Sequence, residues 1–284
     1  MGSVDDPAIS GHLRELGGDF VGLPFGGSRS VQNPPPDWAA LLTGPACQPI
    51  HGPAADRDWT ILQASPTAIT LSLDYPADSK VLRIERTIAT RADAPALDFT
   101  LRIFARQRAA ISVGLHPILR LPEQPGRLTL QADFGFGLVH PAQTAPGQPQ
   151  AFQRLAAVPR AEGQTVDMTR VPLSPASDLN VQLCGMRGPL VARYLDEAAA
   201  VEIDWDRALL PSLQIWHTDR GILGAPWHGQ YRGIGLEPVA SAFDLHDAVS
   251  TGPNPINQRG VATAIWIDPA APSLIRHSIR AFAI

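Results

Sequence analysis

Short stretches in which large apolar and polar residues alternate recur along the chain, and this period of two predicts β-strands. The clearest is Leu97–Ile103, where every second residue is large and apolar and the residues between are Asp, Thr and Arg. A half-buried antiparallel strand needs this pattern, because successive side chains point to opposite faces of the sheet. Ile69–Tyr75 and Val81–Thr90 are similar, and the short connection Pro76–Lys80 between them predicts a three-stranded meander over residues 69–106. Further strands are predicted at Ile111–Leu115, Leu128–Asp133, Val181–Cys184, Val191–Leu195, Val201–Trp205, Leu213–Trp216 and Val261–Ile267.

Proline and glycine are spread along the whole chain, with 28 and 24 copies, and they make long helices hard to place. The protein is therefore predicted to be all-β. Pro24–Pro53 and His140–Pro175 match neither a helix nor a strand pattern and are predicted to be long loops. Loops of this length in a compact domain often form the lids or walls of functional sites. No linker-like segment divides the sequence, so residues 1–284 are predicted to form a single domain.

Composition narrows the classes of partner and compartment. The chain has 23 basic and 27 acidic residues, a net charge of -4 and no basic cluster, so nucleic acid is not expected as a partner. The acidic start lacks the features of a signal peptide, and no apolar run reaches the roughly 18 residues of a membrane span. Cys47 and Cys184 are too far apart in sequence to indicate a zinc ribbon or a disulfide framework. A cytoplasmic protein that does not contact a membrane is predicted.

Signatures of several cofactor and nucleophile sites do not occur in the sequence. There is no Gly-x-Ser-x-Gly elbow and no Walker loop, and Gly233-Ile-Gly235 lacks the third glycine of a dinucleotide fingerprint. The eight histidines include no H-x-x-x-H pair. No cofactor and no metal are therefore predicted.

Two histidines and one carboxylate lie next to glycine or proline, where the backbone is expected to turn at the end of an element. They are His51, followed by glycine; His116, between Leu115 and a proline; and Glu237, also followed by proline. Proton transfer needs a donor and an acceptor at fixed positions, and histidine can serve in both directions because its ordinary pKa is near 6.5. An ordinary glutamate, with a pKa near 4.3, is a weak base at neutral pH. An apolar wall that raises the pKa of Glu237 is therefore expected, and nearby aromatic residues could form it: Trp216, Trp227, Tyr231 and Phe243.

Each of these residues has a plainer interpretation when it is taken singly. Glutamate is mostly exposed in proteins, so Glu237 alone is typical of a surface loop. His116 alone could be a core histidine whose ring nitrogens are satisfied. His51, in a Pro-rich loop, and Asp178, in a Ser-Pro-Ala-Ser-Asp stretch, could simply stabilise turns.

Four segments taken together resemble the aldose 1-epimerase family of the galactose mutarotase-like superfamily. They are Pro49-Ile-His51-Gly52 followed by Trp59, Gly114-Leu-His116-Pro117, Ser177-Asp178-Leu-Asn-Val-Gln182, and Gly235-Leu-Glu237-Pro238. These are similar to that family's H-G-(x)n-W, G-x-H-P, T-D-x-x-Y-type and G-x-E-P segments. Their order and spacing agree with the family over residues 15–284.

The resemblance implies a large antiparallel β-supersandwich with a sugar cleft on its concave face, and interconversion of the anomers of a hexose-like carbohydrate without a cofactor. Glu237 would be the base that takes the proton of the anomeric hydroxyl, and His116 the acid that protonates the ring oxygen. His51 and Asp178 would hold the hydroxyls of the sugar by hydrogen bonds.

The chain departs from the family at its start. Family members usually have additional strands before the Leu16–Gly26 segment, and an arginine from that early region often contacts the sugar. The resemblance therefore implies that the usual first strands are missing, which would expose a sheet edge for a partner chain to cover, as in a homodimer. Arg14 and Arg29 are candidates for the arginine.

Two further function classes remain open from the sequence. One is a carbohydrate-binding or regulatory protein that keeps the cleft but does not turn over its ligand. The other is a glycan-processing lyase or hydrolase, which would need a further carboxylate or tyrosine at the cleft. A phosphorylated sugar would need convergent arginines, for which Arg57, Arg187 and Arg232 are candidates.

Overall fold

Two large antiparallel sheets contain most of the strands. The computed structural model describes residues 13, 16–27, 31, 33–42, 49–144, 148, 150–225 and 227–284. The first sheet has seven strands in the spatial order β1 (Gly18–Gly22), β7 (Val113–Leu119), β18 (Arg232–Ala240), β17 (Ser212–Asp219), β14 (Leu179–Cys184), β9 (Phe136–Val139) and β10 (Ala151–Phe152). The second has nine, in the order β13 (Arg170–Val171), β8 (Leu128–Gln131), β15 (Leu190–Tyr194), β16 (Ala199–Trp205), β20 (Ser273–Ala283), β5 (Ala96–Ala105), β4 (Val81–Thr90), β3 (Ala68–Asp74) and β2 (Thr60–Ala64).

Smaller elements connect and flank these sheets. Two ladders of two strands pair β11 (Val158–Pro159) with β12 (Thr165–Val166) and β6 (Ala109–Ile111) with β19 (Ile265–Ile267). The described helices are α1 (Pro36–Ala39), α2 (Pro53–Asp56) and α3 (Asp247–Thr251), with 3-10 turns at Pro141–Gln143, Leu155–Ala157, Ala161–Gly163 and Asn257–Arg259. None of the helices in the described part of the chain combines the length and the apolar character that crossing a bilayer requires.

The core is formed by the alternate residues of both large sheets. One buried cluster includes Leu115, Val181, Leu213, Ile215 and Leu236 of the first sheet and Ile84, Leu101, Ile103, Ile203 and Ile275 of the second. Since side chains alternate between the two faces of a strand, the residues between those of the first sheet lie on its other face. That second face is not used by this core, and it carries the candidate site.

The all-β prediction is confirmed, and the predicted meander is β3, β4 and β5 in consecutive antiparallel pairing. Some details of the strand predictions are wrong. The single strand predicted at Ile111–Leu115 is divided between two ladders, because Ile111 ends β6 and Val113 begins β7. Leu97, predicted on the buried face, is 39% exposed. It is the second residue of β5, and the core cluster includes this face of the strand only from Leu101 onward. The strand predicted at Val261–Ile267 forms only at its end, as β19, because the Thr263 hydroxyl is bound to the preceding loop and donates to the carbonyl of Ser250 at 2.6 Å. The single-domain interpretation stays a prediction.

The stretches predicted as loops contain some regular structure. The described part of Pro24–Pro53 includes α1, and His140–Pro175 includes β10 to β13 with three 3-10 turns. These elements are so short that they leave no periodic pattern in the sequence. The longest strand of the fold, β20, was not predicted either.

A buried cluster of charged side chains links the two large sheets. Asp19 of β1 contacts Arg86 of β4 (Oδ2 to Nη2, 2.5 Å) and His277 of β20 (Oδ2 to Nε2, 2.8 Å). The Phe99 ring stacks on His277 at 4.2 Å and lies beneath the Arg86 guanidinium. Burial by itself raises the pKa of the Asp19 carboxyl, but the charges and hydrogen bonds of Arg86 and His277 outweigh it and lower the pKa to about 2. Asp19 is thus held as a carboxylate inside the fold.

Candidate active site

His116 of β7 and Glu237 of β18 are cross-strand neighbours on the face of the first sheet that is turned away from the core. Gly235 pairs with Ile118 and Val239 with Gly114, and the same register between these pairs brings Glu237 opposite His116. Directly opposed residues of an antiparallel pair point to the same face. The adjacent ladder positions are Pro117 and Pro238, which have no N–H to donate.

These two side chains meet at the floor of one cavity. The Nε2 atom of His116 lies 3.3 Å from Oε1 of Glu237, and both side chains are almost completely buried. The cavity has a volume of about 280 Å³ and is lined by Leu13, Leu16, Ile50, His51, His116, Asn180, Gln214, Trp216, Ile222, Ala225, Trp227, Glu237 and Asp244. The pair therefore lies side by side beneath the cavity, and a ligand would lie over both residues.

The His116 and Glu237 motifs lie at different places in the secondary structure from those that the sequence predicted. Glu237 and His116 were expected where the backbone turns at an element end, but both lie inside regular strands. The prolines that suggested turns are accommodated within β7 and β18 instead. This position on the sheet holds the two side chains on rigid backbone.

Glycine two residues before each side chain makes room for the site. A Cβ atom on Gly235 would lie 2.1 Å from Oε1 of Glu237, and one on Gly114 would lie 2.2 Å from the Phe25 ring. Residues two apart on a strand share a face, so each glycine opens space that the carboxylate or the ring then fills. The Phe25 ring in turn packs against His51, with ring centroids 4.6 Å apart. The Gly-x-Glu and Gly-x-His motifs thus have the same physical basis.

The environment of Glu237 raises the pKa of its carboxyl well above the ordinary value. Burial is the larger cause, and the negative charge of Asp244 is the second. Apart from the contact with His116, neither oxygen of this carboxyl has a hydrogen-bond partner among the residues that the structure describes. Trp216 and Trp227 line the cavity, and Tyr231 stacks on Trp216 at 5.8 Å, so three of the four aromatic residues expected to form an apolar wall lie in or next to it. A carboxyl with a raised pKa is a stronger base than an ordinary glutamate.

His51 reaches the same cavity from a loop. Its backbone is in the left-handed region, with a φ of 63°, as is that of the following Gly52, with a φ of 72°. The Nδ1 atom accepts a hydrogen bond from the backbone N–H of Gly26 at 3.1 Å. In the neutral ring, Nε2 therefore carries the hydrogen. The His51 and His116 rings are 5.3 Å apart, in an edge-to-face arrangement.

Asp244 is a further carboxylate at this cavity, and sequence reasoning missed it. It follows β18 by a short turn, and its Oδ1 lies 2.9 Å from Nε2 of His140. Burial by itself raises the pKa of Asp244, but the charge and hydrogen bond of His140, with a contribution from His51, lower it to about 2. The only sequence signal was the closeness of Asp244 to the Glu237 motif, and no spacing rule assigned it a role.

Asp178 does not line the cavity. Its Oδ1 accepts a hydrogen bond from the backbone N–H of Asp219 at 3.1 Å, and its carboxylate packs against Gly221. This geometry favours the alternative that Asp178 stabilises a turn, and its contact with a sugar stays a prediction. Asn180, two residues further along, lines the cavity instead, and its Oδ1 has no hydrogen-bond partner in the described chain.

The arginines considered for a phosphate group lie elsewhere. Arg187 pairs with Asp133, and Arg232 bridges Asp219 and Glu123. Arg57 borders a separate cavity. Among the described residues that line the site cavity there is no arginine or lysine. The two candidates near the start of the chain, Arg14 and Arg29, lie outside the described residues.

Solved structures with the same architecture are known. A candidate aldose 1-epimerase from Escherichia coli K12 superposes with a TM-score of 0.65 at 17% sequence identity, covering 94% of this chain and 84% of its own. A galactose mutarotase-like protein from Lactobacillus casei gives 0.53 at 15%, covering 93% and 85%. The Slr1438 protein from Synechocystis gives 0.59 at 15%, covering 93% and 78%.

The chain has the galactose mutarotase-like fold. The β-supersandwich prediction is therefore confirmed. No family model matches the sequence, and no curated protein does so either. At these identities the likeness establishes the fold, and the chemistry has to be argued from the side chains in the cavity.

Proposed function

We propose that this protein is an aldose 1-epimerase, which interconverts the anomers of an aldose by acid–base catalysis. The observation that carries the proposal is the contact between His116 and Glu237 at the floor of one cavity. A ring-opening catalyst needs a base at the anomeric hydroxyl and an acid at the ring oxygen. Both oxygens are bonded to the same carbon, so the two catalytic groups must lie close together, as these do.

The proposed reaction uses these two side chains in turn. Glu237 takes the proton from the hydroxyl oxygen on C1 while His116 donates a proton to the ring oxygen O5, and the C1–O5 bond breaks to give the open-chain aldehyde. After rotation about the C1–C2 bond, the O5 hydroxyl attacks the other face of C1. His116 then takes back the O5 proton and Glu237 returns its proton to the oxygen on C1. The protein is regenerated, and only the configuration at C1 has changed.

Other lining groups match the remainder of a sugar. The Oδ1 of Asn180 and the Oε1 of Gln214 are buried acceptors without a partner among the described residues, and sugar hydroxyls can donate to them. His51, whose Nδ1 is fixed by the N–H of Gly26, also borders the cavity and is proposed to contact a ring hydroxyl. The indole rings of Trp216 and Trp227 offer flat apolar faces for the C–H side of a pyranose. The cavity volume is of the order that small-molecule sites have.

Charge favours an unphosphorylated substrate in this proposal. Two carboxyl groups, Glu237 and Asp244, line the cavity, while the described arginines considered above are paired or lie elsewhere. A phosphate group would face repulsion from Asp244. A neutral hexose-like aldose is therefore the proposed substrate class.

The experiment is saturation-transfer NMR of anomer exchange in freshly dissolved glucose and galactose, with polarimetry in parallel. Wild type is expected to accelerate exchange, and Glu237→Gln and His116→Gln are each expected to lower kcat about 10²- to 10⁴-fold. Glu202→Gln, on β16 of the second sheet, is the matched control and should keep wild-type activity.

Two results would contradict the proposal. A folded wild type that accelerates no aldose tried but still binds sugar would support the carbohydrate-binding alternative. A Glu237→Gln variant with wild-type activity would remove the carboxyl from the mechanism.

A further inference from the structure

We propose that Asp244 is a second functional carboxylate of this cavity, which accepts a hydrogen bond from a substrate hydroxyl and keeps a negative charge at the cavity that Glu237 also lines. This inference rests on the proposed aldose 1-epimerase function and extends it to a residue outside the motifs of the sequence. It assigns His140 the part of a positioning residue that holds Asp244.

The turn that carries Asp244 is fixed by buried hydrogen bonds. Gln182 of β14 donates from Nε2 to the carbonyl of Ser241 at 2.8 Å and accepts from the backbone N–H of Phe243 at 2.6 Å. The backbone at Phe243 is in the left-handed region, with a φ of 52°. The carbonyl of Asp244 accepts from Gly27 at 3.0 Å. Asp244 is therefore held from both sides, as a residue that must keep one position over a ligand would be.

His140 fixes one of the two carboxylate oxygens. The Nδ1 atom of His140 accepts a hydrogen bond from the backbone N–H of Ala142 at 3.0 Å, so in the neutral ring Nε2 carries the hydrogen. This hydrogen is donated to Oδ1 of Asp244 at 2.9 Å. The His140 ring is itself packed edge-on against Phe243. About a third of the Asp244 side chain remains exposed, at the cavity, which leaves it able to accept from a ligand.

The pKa of Glu237 depends on the side chains that face it. His116 faces it from β7, and the uncharged Gln214 faces it from β17. The phenol of Tyr231 is near enough for Glu237 to influence its pKa, although burial is the larger cause there. Asp244 is the one negative group among these described neighbours, and it adds to the effect of burial in raising the pKa of Glu237.

The two carboxyl groups consequently ionise in a fixed order. Asp244 has His140 and His51 beside it and is ionised at any pH near neutral. For Glu237, burial and the charge of Asp244 both raise the pKa, so Glu237 loses its proton at a higher pH than Asp244 does. Pairs of titratable groups whose surroundings move their pKa values apart are the arrangement that acid–base sites use.

The test measures the titration of Glu237 directly. Carboxyl-labelled protein is titrated by ¹³C NMR, with the Glu237 signal assigned by its loss in Glu237→Gln, and wild type is compared with Asp244→Asn. We expect the Glu237 pKa to fall by about one unit in Asp244→Asn, because a neighbouring negative charge is removed. Asp244→Glu, which keeps the charge, should retain the raised pKa. Asp133→Asn, an exposed aspartate far from the cavity, is the matched control.

Kinetics supply the second readout. In Asp244→Asn the KM for the aldose should rise about tenfold or more through loss of a charged hydrogen bond, and the acidic limb of kcat/KM should move to lower pH with the Glu237 titration. His140→Gln, which keeps a side-chain donor, should be closer to wild type in KM than His140→Leu.

The outcomes separate this inference from the proposed function. If folded Asp244→Asn leaves both the Glu237 titration and sugar affinity unchanged, Asp244 is a structural residue and the inference is wrong. If wild type catalyses no anomer exchange, the proposed function fails. The ¹³C titration of Glu237 and the affinity of the same variants for glucose, measured by titration calorimetry, then still test Asp244.

Discussion

Asp19 and Glu237 are buried carboxyl groups on β1 and β18, the two strands that flank β7, yet their pKa values move in opposite directions. Burial raises the pKa of each. Around Asp19 this effect is outweighed by Arg86 and His277, which belong to the second sheet. Around Glu237 the second influence is another negative charge, that of Asp244, and it acts in the same direction as burial.

The difference follows from the faces on which the two side chains lie. Asp19 points toward the other sheet, where strands β4 and β20 supply charged partners at hydrogen-bonding distance. Glu237 points into a cavity, where its only close polar contact in the described structure is His116. Asp19 is paired with two basic side chains and stabilises the fold, whereas Glu237 is buried beside one histidine, at a cavity that a second carboxylate also lines, and is kept reactive.

The largest expected effect is on stability, at the paired site. Arg86→Met leaves Asp19 buried with only His277 beside it, and the free energy of unfolding should fall by about 3–5 kcal/mol. Urea denaturation monitored by tryptophan fluorescence measures this. Arg91→Met removes an exposed pair with Asp98 and should cost less than about 1 kcal/mol. Equal losses in the two variants would show that the Asp19 cluster contributes no more than a surface pair.

A smaller effect is expected from acid. The pKa of Asp19 is about 2 in the folded protein and near 3.8 when unfolded, so its ionisation stabilises the fold at any pH above about 4. That stabilisation, about 2 kcal/mol, is lost as the pH falls from about 4 to about 2. Urea unfolding at a series of pH values should show this slope in wild type and a reduced slope in Asp19→Asn. An unchanged slope in the variant would assign the acid sensitivity to other groups.

The smallest expected effect is a gain of stability, at the reactive site. The folded pKa of Glu237 is raised, so its ionisation destabilises the fold as the pH rises from the unfolded value toward the folded one. Glu237→Gln, which cannot ionise, should therefore be more stable than wild type at pH 7 while losing activity. Near pH 4 the two proteins should be equally stable, and a variant less stable than wild type at pH 7 would contradict this account.

The alternation of apolar and polar residues predicted the strands in which it is regular. It failed where glycine and proline interrupt it. Leu97–Ile103, which alternates at every position, lies inside β5, and the limits of β4 agree with the prediction at both ends. Strand β18 was not predicted, since Gly233, Gly235 and Pro238 are poor strand formers and suggested turns. Its stability comes from pairing with β17 and β7 on either side, which no local pattern can show.

The same limit applies to the candidate site. The motifs brought His116, Glu237 and His51 to notice, and the structure places all three at one cavity. Asp244 and its partner His140 come from segments 104 residues apart in sequence, and Gln214 lies on a strand whose pattern is otherwise ordinary. Contacts between distant segments depend on sheet order, which sequence periodicity does not determine.

The space above Gly235 has a consequence for anyone who wishes to alter this protein. Because the carboxyl of Glu237 occupies the position where a side chain would begin, position 235 tolerates no larger residue unless Glu237 moves. In a directed-evolution library aimed at new ligands, most substitutions at Gly235 would therefore inactivate the protein. The same is expected at Gly114, where a side chain would meet the Phe25 ring. Diversity is better introduced at Ile222 and Ala225, which line the cavity from a loop outside the strands that carry His116 and Glu237.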